Sequence, residues 1–484
     1  MKTHHSIFGT AALTAASVLR VVMQIVAFPI IGHILGPQSY GQIALVSPFV
    51  FLAMIIAESG LGACIIRSAA LSTALEGSVF TFTFGLSALV VILFALLAYP
   101  LGYLLAEPAF PPLLIGMSSI LLLAAVNVVP AARLLRAQRY DWVACSDVAS
   151  FIGGIAGLLG GVYFGWGAWS LVAQQIMLWL GKVIVVMIGA HYVPRFEFHW
   201  SLVRENLHFG LHLTGATLLS FAARNIDNIL IGALMGSTTL GLYALAFQIV
   251  CLPQMIFSGP AYSILLSGTS ATLRSGQSPA PQILKTLRWL LLVSAPMMVG
   301  LAVTAESSVA LILGSQWQSA AYLIMLLAPY GIARIIAEAM GAVLIGSGHT
   351  DKLFRLNLIT ATLTIAAIIV GAQISSHAVA IGVSVTSLIG LNLLLLTIAR
   401  TCDCSLVKLY GTMAGVTGAA LLMGGALIAL QSALPPAWPD AWRLGLGILA
   451  GIVTYSILLV LLMPKSLRTD IAEIRQVLAT SNKS

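Results

Sequence analysis

Apolar residues run along this chain in fourteen long blocks, and polar residues collect in the short stretches between them. A block of about 20 apolar residues, wound as a helix rising about 1.5 Å per residue, matches the hydrocarbon thickness of a bilayer. Hydrocarbon offers no partner to a bare amide or carbonyl, so each block must close its own hydrogen bonds as a helix. The blocks cover Phe8 to Leu35, Gly41 to Leu61, Val79 to Leu105, Leu113 to Ala132, Val143 to Tyr163, Trp169 to Ala190, Leu211 to Leu234, Leu240 to Phe257, Trp289 to Leu313, Ala320 to Ile345, Leu356 to Ile374, Ala378 to Ile398, Leu409 to Leu430 and Leu444 to Met463. They predict an all-α integral membrane protein with 14 transmembrane helices and exclude a water-soluble fold.

Charge gives the blocks a direction. The N-terminus, every second connection and the C-terminal tail carry Lys2, Arg67, Arg133, Arg136, Arg139, Arg195, Arg204, Arg274, Lys285, Arg288, Lys352, Arg355, Arg400, Lys408, Lys465, Arg468, Arg475 and Lys483. The seven connections on the other side carry only Arg443. Basic residues concentrate on the cytoplasmic side, so both termini are assigned to the cytoplasm of a bacterial inner membrane. The net charge of +8 follows from this topology: basic residues scattered over short loops beside anionic headgroups form no nucleic-acid footprint, and no nucleic-acid partner is expected.

The first block runs past Arg20 to Leu35 and reads as an uncleaved span, not a secretory signal. Five cysteines give no disulfide framework, and Cys402 and Cys404, flanking Asp403 without nearby histidines, predict no metal site. The longest connections, His191 to Gly210 and Ser258 to Arg288, leave no room for a soluble catalytic domain. The first sets Trp200, Leu202, Val203 and Leu207 among charges and reads as a short helix along the membrane surface.

An internal repeat divides the chain. A shift of 200 residues aligns Ile31, Gly32, Gly36, Gly41, Ala44 and Leu45 with Ile231, Gly232, Gly236, Gly241, Ala244 and Leu245. Both segments close an odd-numbered block and open the next. Six blocks separate them, so the halves share one orientation, the parallel kind of transporter repeat. The expected organisation is an N-terminal lobe over 1–192, an interfacial linker over 193–210, a C-terminal lobe over 211–400, and two further spans with a tail over 401–484.

The stretch Leu35-Gly-Pro-Gln-Ser-Tyr-Gly41 resembles the LGP-x-x-YG signature of bacterial polysaccharide transporters, the Wzx-type oligosaccharide flippases of the superfamily that includes MATE exporters. Arg224 to Gly232, Gly241 to Ala246, Gln316-Trp-Gln and Gly346-Ser-Gly resemble the same family. The resemblance implies two pseudo-symmetric six-helix lobes around a central cavity, two extra C-terminal helices, and outward translocation of a polyprenyl-diphosphate-linked oligosaccharide. Membrane lipids, a polysaccharide polymerase and chain-length or export proteins are the partners it implies.

Four cations fall inside blocks: Arg20, Lys182, Arg224 and Arg334. Each costs about 2.5 to 3.5 kcal/mol near the bilayer centre on insertion scales, so something must offset them. Asp227 follows Arg224 by three residues and Glu338 follows Arg334 by four, spacings that allow an ion pair on one helix face. A diphosphate could do the same, because guanidinium grips phosphate oxygens through paired hydrogen bonds. In that reading Arg20 and Arg224 hold the diphosphate, Lys182 and Arg334 extend the positive field, and Asp227 or Glu338 loads H+ or Na+ on the return. Pro29, Gly32, Gly36, Gly232 and Gly236 are the hinge candidates. No phosphate-cradling G-x-x-x-x-G-K-[ST] loop is present, and no organic cofactor or enzymatic activity is expected. A MATE-type cation antiporter or a peptidoglycan lipid-precursor flippase would share this frame. A polymerase or ligase would need catalytic groups on a sizeable external loop.

Overall fold

Over the described residues the apolar blocks fold as helix, and those residues contain no strand. The computed structural model describes residues 2–68, 72–435 and 438–462; the side chains of residues 2–28, of residue 31 and of most residues between 205 and 224, Arg20 and Arg224 among them, lie outside that description. Twelve helices among the described residues are long and apolar enough to cross a membrane. The remaining two blocks, 8–35 and 211–234, fall in helices whose side chains are largely undescribed.

The chain forms two compact units, Met1–Ala244 and Leu245–Ser484. The first contains α1 (Lys2–Glu58), α2 (Leu61–Arg67), α3 (Thr73–Leu104), α4 (Phe110–Ser118), α5 (Ile120–Arg136), α6 (Tyr140–Tyr163), α7 (Trp169–Ala190) and α8 (Trp200–Met235). The second begins within α9 (Ser237–Arg274) and continues with α10 (Ala280–Val303), α11 (Ala305–Ile312), a 3-10 turn at Ser315–Trp317, α12 (Gln318–Gly346), α13 (Thr350–Ala372), α14 (Ser376–Thr401), α15 (Leu406–Ala433) and α16 (Asp440–Leu462).

The sequence repeat is also a repeat of backbone geometry. Gly36 interrupts α1 with φ 67° and ψ 166°, and Gly236, which ends α8, has φ 83° and ψ 168°. Only glycine enters this region without strain, so the same residue is required at both places. Pro29 lies in the helical part of α1; the break is at Gly36. Five residues on, Gly41 and Gly241 meet within the first unit. A methyl group on Gly41 would overlap the Ser237 carbonyl, and one on Gly241 would overlap the Pro37 carbonyl. This backbone contact joins α8 and the start of α9 to the preceding helices.

Residues 192–199 run without helix and dock on α3: Thr81 Oγ1 donates to the Glu197 carbonyl at 3.0 Å and His199 N–H to Ser78 Oγ at 2.9 Å. The amphipathic residues Trp200 to Leu207 are the first turns of α8 and not a separate surface helix, because Gly210, which alone parts them from the block that follows, does not interrupt the helix. The eighth span is longer than its apolar block. Ser258, Gly259 and Pro260 read as a stop after Phe257, yet α9 continues to Arg274. Its hydroxyls satisfy themselves on the helix, Ser267 donating to the Ser263 carbonyl at 2.8 Å and Thr272 to Gly268 at 2.7 Å.

Helix α6 carries Gly153, Gly157 and Gly161 at four-residue spacing, on the side facing α7. A methyl group on Gly153 would stand 2.5 Å from the Met177 carbonyl, and one on Gly157 would stand 2.6 Å from the Ala173 carbonyl. From the other side, Gly181 faces the Ala149 carbonyl at 2.6 Å. Membrane helices approach closely where small residues line the contact, since dispersion and not water exclusion holds them together.

Candidate functional site

That close approach sets the geometry of the clearest intramembrane ion pair. Lys182 on α7 donates through Nζ to Asp147 Oδ1 on α6 at 3.2 Å. Both are partly buried, and Lys182 also acts electrostatically on Glu58 at the end of α1. Lys182 has no acid at helical spacing in its own block; the acid comes from the neighbouring helix, 35 residues away in sequence.

Asp227, on α8, is buried. Its Oδ1 accepts the Asn228 N–H at 2.9 Å and its Oδ2 faces the Tyr243 hydroxyl at 3.4 Å, so a residue of the repeated glycine segment reaches this carboxylate. The backbone of Arg20 lies in α1 and that of Arg224 one turn before Asp227; both side chains are outside the described set.

In the second unit, α12 is the most enclosed membrane helix: 61% of its apolar window is buried, against 6% for α13. It carries Arg334 and Glu338. The Glu338 carboxylate accepts a hydrogen bond from the Gln254 side chain on α9. Among the described residues Arg334 has no ion-pair partner, although Glu338 sits one turn away. Arg334 is twelve residues from the end of α12 at Gly346, about 18 Å along the axis, and only partly buried.

Glu58, Asp147, Asp227 and Glu338 are acids inside the apolar blocks, on the helices that carry the four cations or, for Asp147, on the neighbour of one. Glu58 and Asp147 are as legible in the sequence as the cations, because an acid inside an apolar block is as costly as a base. Tyr243 and Gln254 left no sequence signal, because a neutral hydrogen-bonding side chain in a membrane helix is common. Among the described residues no cluster of His, Cys, Asp and Glu is arranged to hold a metal ion.

Two helical units with charges inside membrane-spanning helices define a multi-pass membrane protein. Residues 30–322 match the family described as polysaccharide biosynthesis protein, and the chain belongs to that family. It is 22% identical over 390 residues to the lipopolysaccharide biosynthesis protein WzxC of Escherichia coli, covering 78% of this chain and 77% of that one. It is 25% identical over 352 residues to the succinoglycan biosynthesis transport protein ExoT of Rhizobium meliloti, covering 72% and 71%. Its fold is that of the lipid II flippase MurJ in an inward closed conformation, with TM-score 0.75 at 14% identity over 95% of this chain and all of the other. An inward-facing multidrug MATE transporter superposes with TM-score 0.63 at 16% identity, over 80% of this chain and 96% of that one.

Proposed function

We propose that this protein is a flippase that carries a polyprenyl-diphosphate-linked oligosaccharide from the cytoplasmic to the periplasmic leaflet of the bacterial inner membrane, for assembly of an exopolysaccharide, capsule or O-antigen. Family membership supports the substrate class. The observation that carries the reading is a guanidinium held deep in an enclosed membrane helix while its nearest acid is committed elsewhere: Arg334, beside a Glu338 that takes the Gln254 amide. A partly buried cation deep in a membrane helix, with no ion-pair partner among the described residues, is stabilised by an anion that comes and goes, and a diphosphate matches a guanidinium fork in charge and geometry.

In this mechanism Arg20 and Arg224, on corresponding helices of the repeat, grip the diphosphate, and Arg334 adds to the field. Lys182 contributes less, since Asp147 neutralises it at 3.2 Å. The N-terminal lobe over 1–192 and the C-terminal lobe over 211–400 rock about Gly36 and Gly236, with both termini in the cytoplasm. Asp227 and Glu338 are carboxylates able to take H+ or Na+ when the carrier returns empty, each already beside a neutral donor that favours a change of partner. A polymerase and chain-length or export proteins receive the product. The protein makes and breaks no covalent bond.

Deletion of the gene is expected to leave viable cells that lack one surface polysaccharide and accumulate its lipid-linked repeat unit on the cytoplasmic leaflet, read by mass spectrometry of extracted lipids. Lethality with accumulated peptidoglycan precursor would move the substrate to cell-wall synthesis. Arg20→Ala and Arg224→Ala are expected to keep near-normal abundance while surface polysaccharide falls at least tenfold, the loss of about 1.4 kcal/mol or more in binding. Normal polysaccharide in both variants and in their combination would remove the two residues from the mechanism.

A further inference from the structure

The one basic residue of the external connections, Arg443, sits in the first turn of α16, within the second unit. Helix α16 has 23 residues, about 35 Å at 1.5 Å each, so its first turn lies at the level of the lipid headgroups. Trp438 and Trp442, both exposed, mark the same depth, because indole rings settle at the membrane–water interface. The positive-inside bias assigns this end to the external leaflet, where a cation is the exception and calls for an anion to hold it.

The described residues do not supply that anion. Among them Arg443 forms no ion pair, although Asp440 precedes it by three residues and Glu306 opens α11, which packs on α16; both acids are exposed. The Arg443 Nε is buried with no hydrogen-bond partner, while the residue as a whole is only partly buried. The two Nη groups therefore form the open edge of the fork, with donors for two oxygens of one anion. A second buried donor without a partner, Gln431 Nε2 at the end of α15, lies close by: a methyl group on Gly447, one turn inward from Arg443, would stand 3.9 Å from it. Donors thus exceed acceptors where the ends of α15 and α16 meet. Inward of Arg443 the surface is apolar, with Leu446, Leu449 and Val453 exposed at helical spacing. On a membrane-spanning helix this strip meets acyl chains.

We propose that Arg443 anchors the phosphate of an anionic lipid in the external leaflet, with an acyl chain along Leu446, Leu449 and Val453. Guanidinium takes phosphate oxygens in pairs, and the apolar strip adds a contact that a free anion would not use. Two kinds of lipid present such a phosphate, a resident glycerophospholipid and a polyprenyl carrier, and the chemistry at Arg443 is the same for both. The site is independent of the flippase reading, since a resident lipid occupies it whatever the protein carries.

The test reconstitutes the full-length protein in phosphatidylcholine vesicles doped with phosphatidylglycerol that carries a photoreactive diazirine in its acyl chain. After illumination the cross-linked residues are mapped by peptide mass spectrometry. Adducts are expected on residues 446–453, to fall about fivefold in Arg443→Gln and to return for the most part in Arg443→Lys. Phosphatidylcholine carrying the same diazirine is expected to leave these residues unlabelled, and sodium phosphate to displace nothing. Competition by unlabelled lipid then names the source: displacement at lower amounts of polyprenyl phosphate than of phosphatidylglycerol assigns the site to the carrier, and the reverse assigns it to resident lipid. Equal labelling by the two diazirine lipids, displacement by sodium phosphate, or undiminished labelling in Arg443→Gln would each overturn the proposal. Should Arg443→Gln not accumulate, the comparison of the two diazirine lipids on the wild-type protein decides it.

Discussion

Asp147→Ala leaves the Lys182 ammonium without its ion-pair partner between membrane helices, with only the longer-range field of Glu58, and the amount of protein recovered in membranes is expected to fall several-fold. Removing one partner of a fully buried pair costs about 3 to 5 kcal/mol. The pair here is partly exposed, with side-chain accessibilities of 29 and 16%, and Lys182 lies eight residues from the end of α7, where its stem reaches toward water. The expected loss is therefore nearer about 2 kcal/mol, still a large fraction of a typical stability margin. The paired change Asp147→Leu with Lys182→Met is expected to recover abundance, since apolar residues of similar volume replace buried ion pairs without loss. Immunoblots of membrane fractions and unfolding in detergent measure this. Surface polysaccharide then separates two roles: its return in the double variant makes the pair a structural strut, and its continued absence makes it part of transport. Wild-type abundance in Asp147→Ala would show that Lys182 never depended on this acid.

Gly41→Ala and Gly241→Ala are expected to have an effect of similar size by a different cause. Each added methyl group would overlap a backbone carbonyl, Ser237 in one case and Pro37 in the other. A side chain can rotate out of the way, but a helix backbone must move as a whole, and overpacking of this kind costs about 1 to 3 kcal/mol or more. The Cβ of residue 41 would also lie 2.7 Å from Gly241 N. Both variants should show lowered unfolding temperature and lost polysaccharide export. Gly425→Ala in α15, where nothing lies within 4 Å, is the control and should behave as wild type. Unchanged unfolding temperatures in both single variants would mean that the two segments are not in contact.

The helices were legible because bilayer thickness and the need to close backbone hydrogen bonds leave few options to a run of apolar residues. The alignment of Gly36 with Gly236 carried more than composition: both positions adopt nearly the same left-handed torsions. What the sequence hid was partnership across helices. Lys182 finds Asp147 over a separation of 35 residues and Glu338 finds Gln254 over 84, and helical spacing rules reach only one turn. Helix ends were hidden for another reason. Ser, Gly and Pro after Phe257 suggest a loop, but hydroxyls that bond back to the preceding turn let a helix pass through polar residues to Arg274.

The glycine-lined face between α6 and α7 bears on how charge can move. Two rods pressed carbonyl to Cα along three successive turns cannot slide or part without losing the whole seam, so Asp147 and Lys182 ride on one plank. A proton arriving at Asp147 would find the distance to its counter-ion unchanged, and only rotation of the lysine stem could break the link. Any gating at this spot is thus a matter of side-chain swing, quick and local, while the backbone beneath stays put.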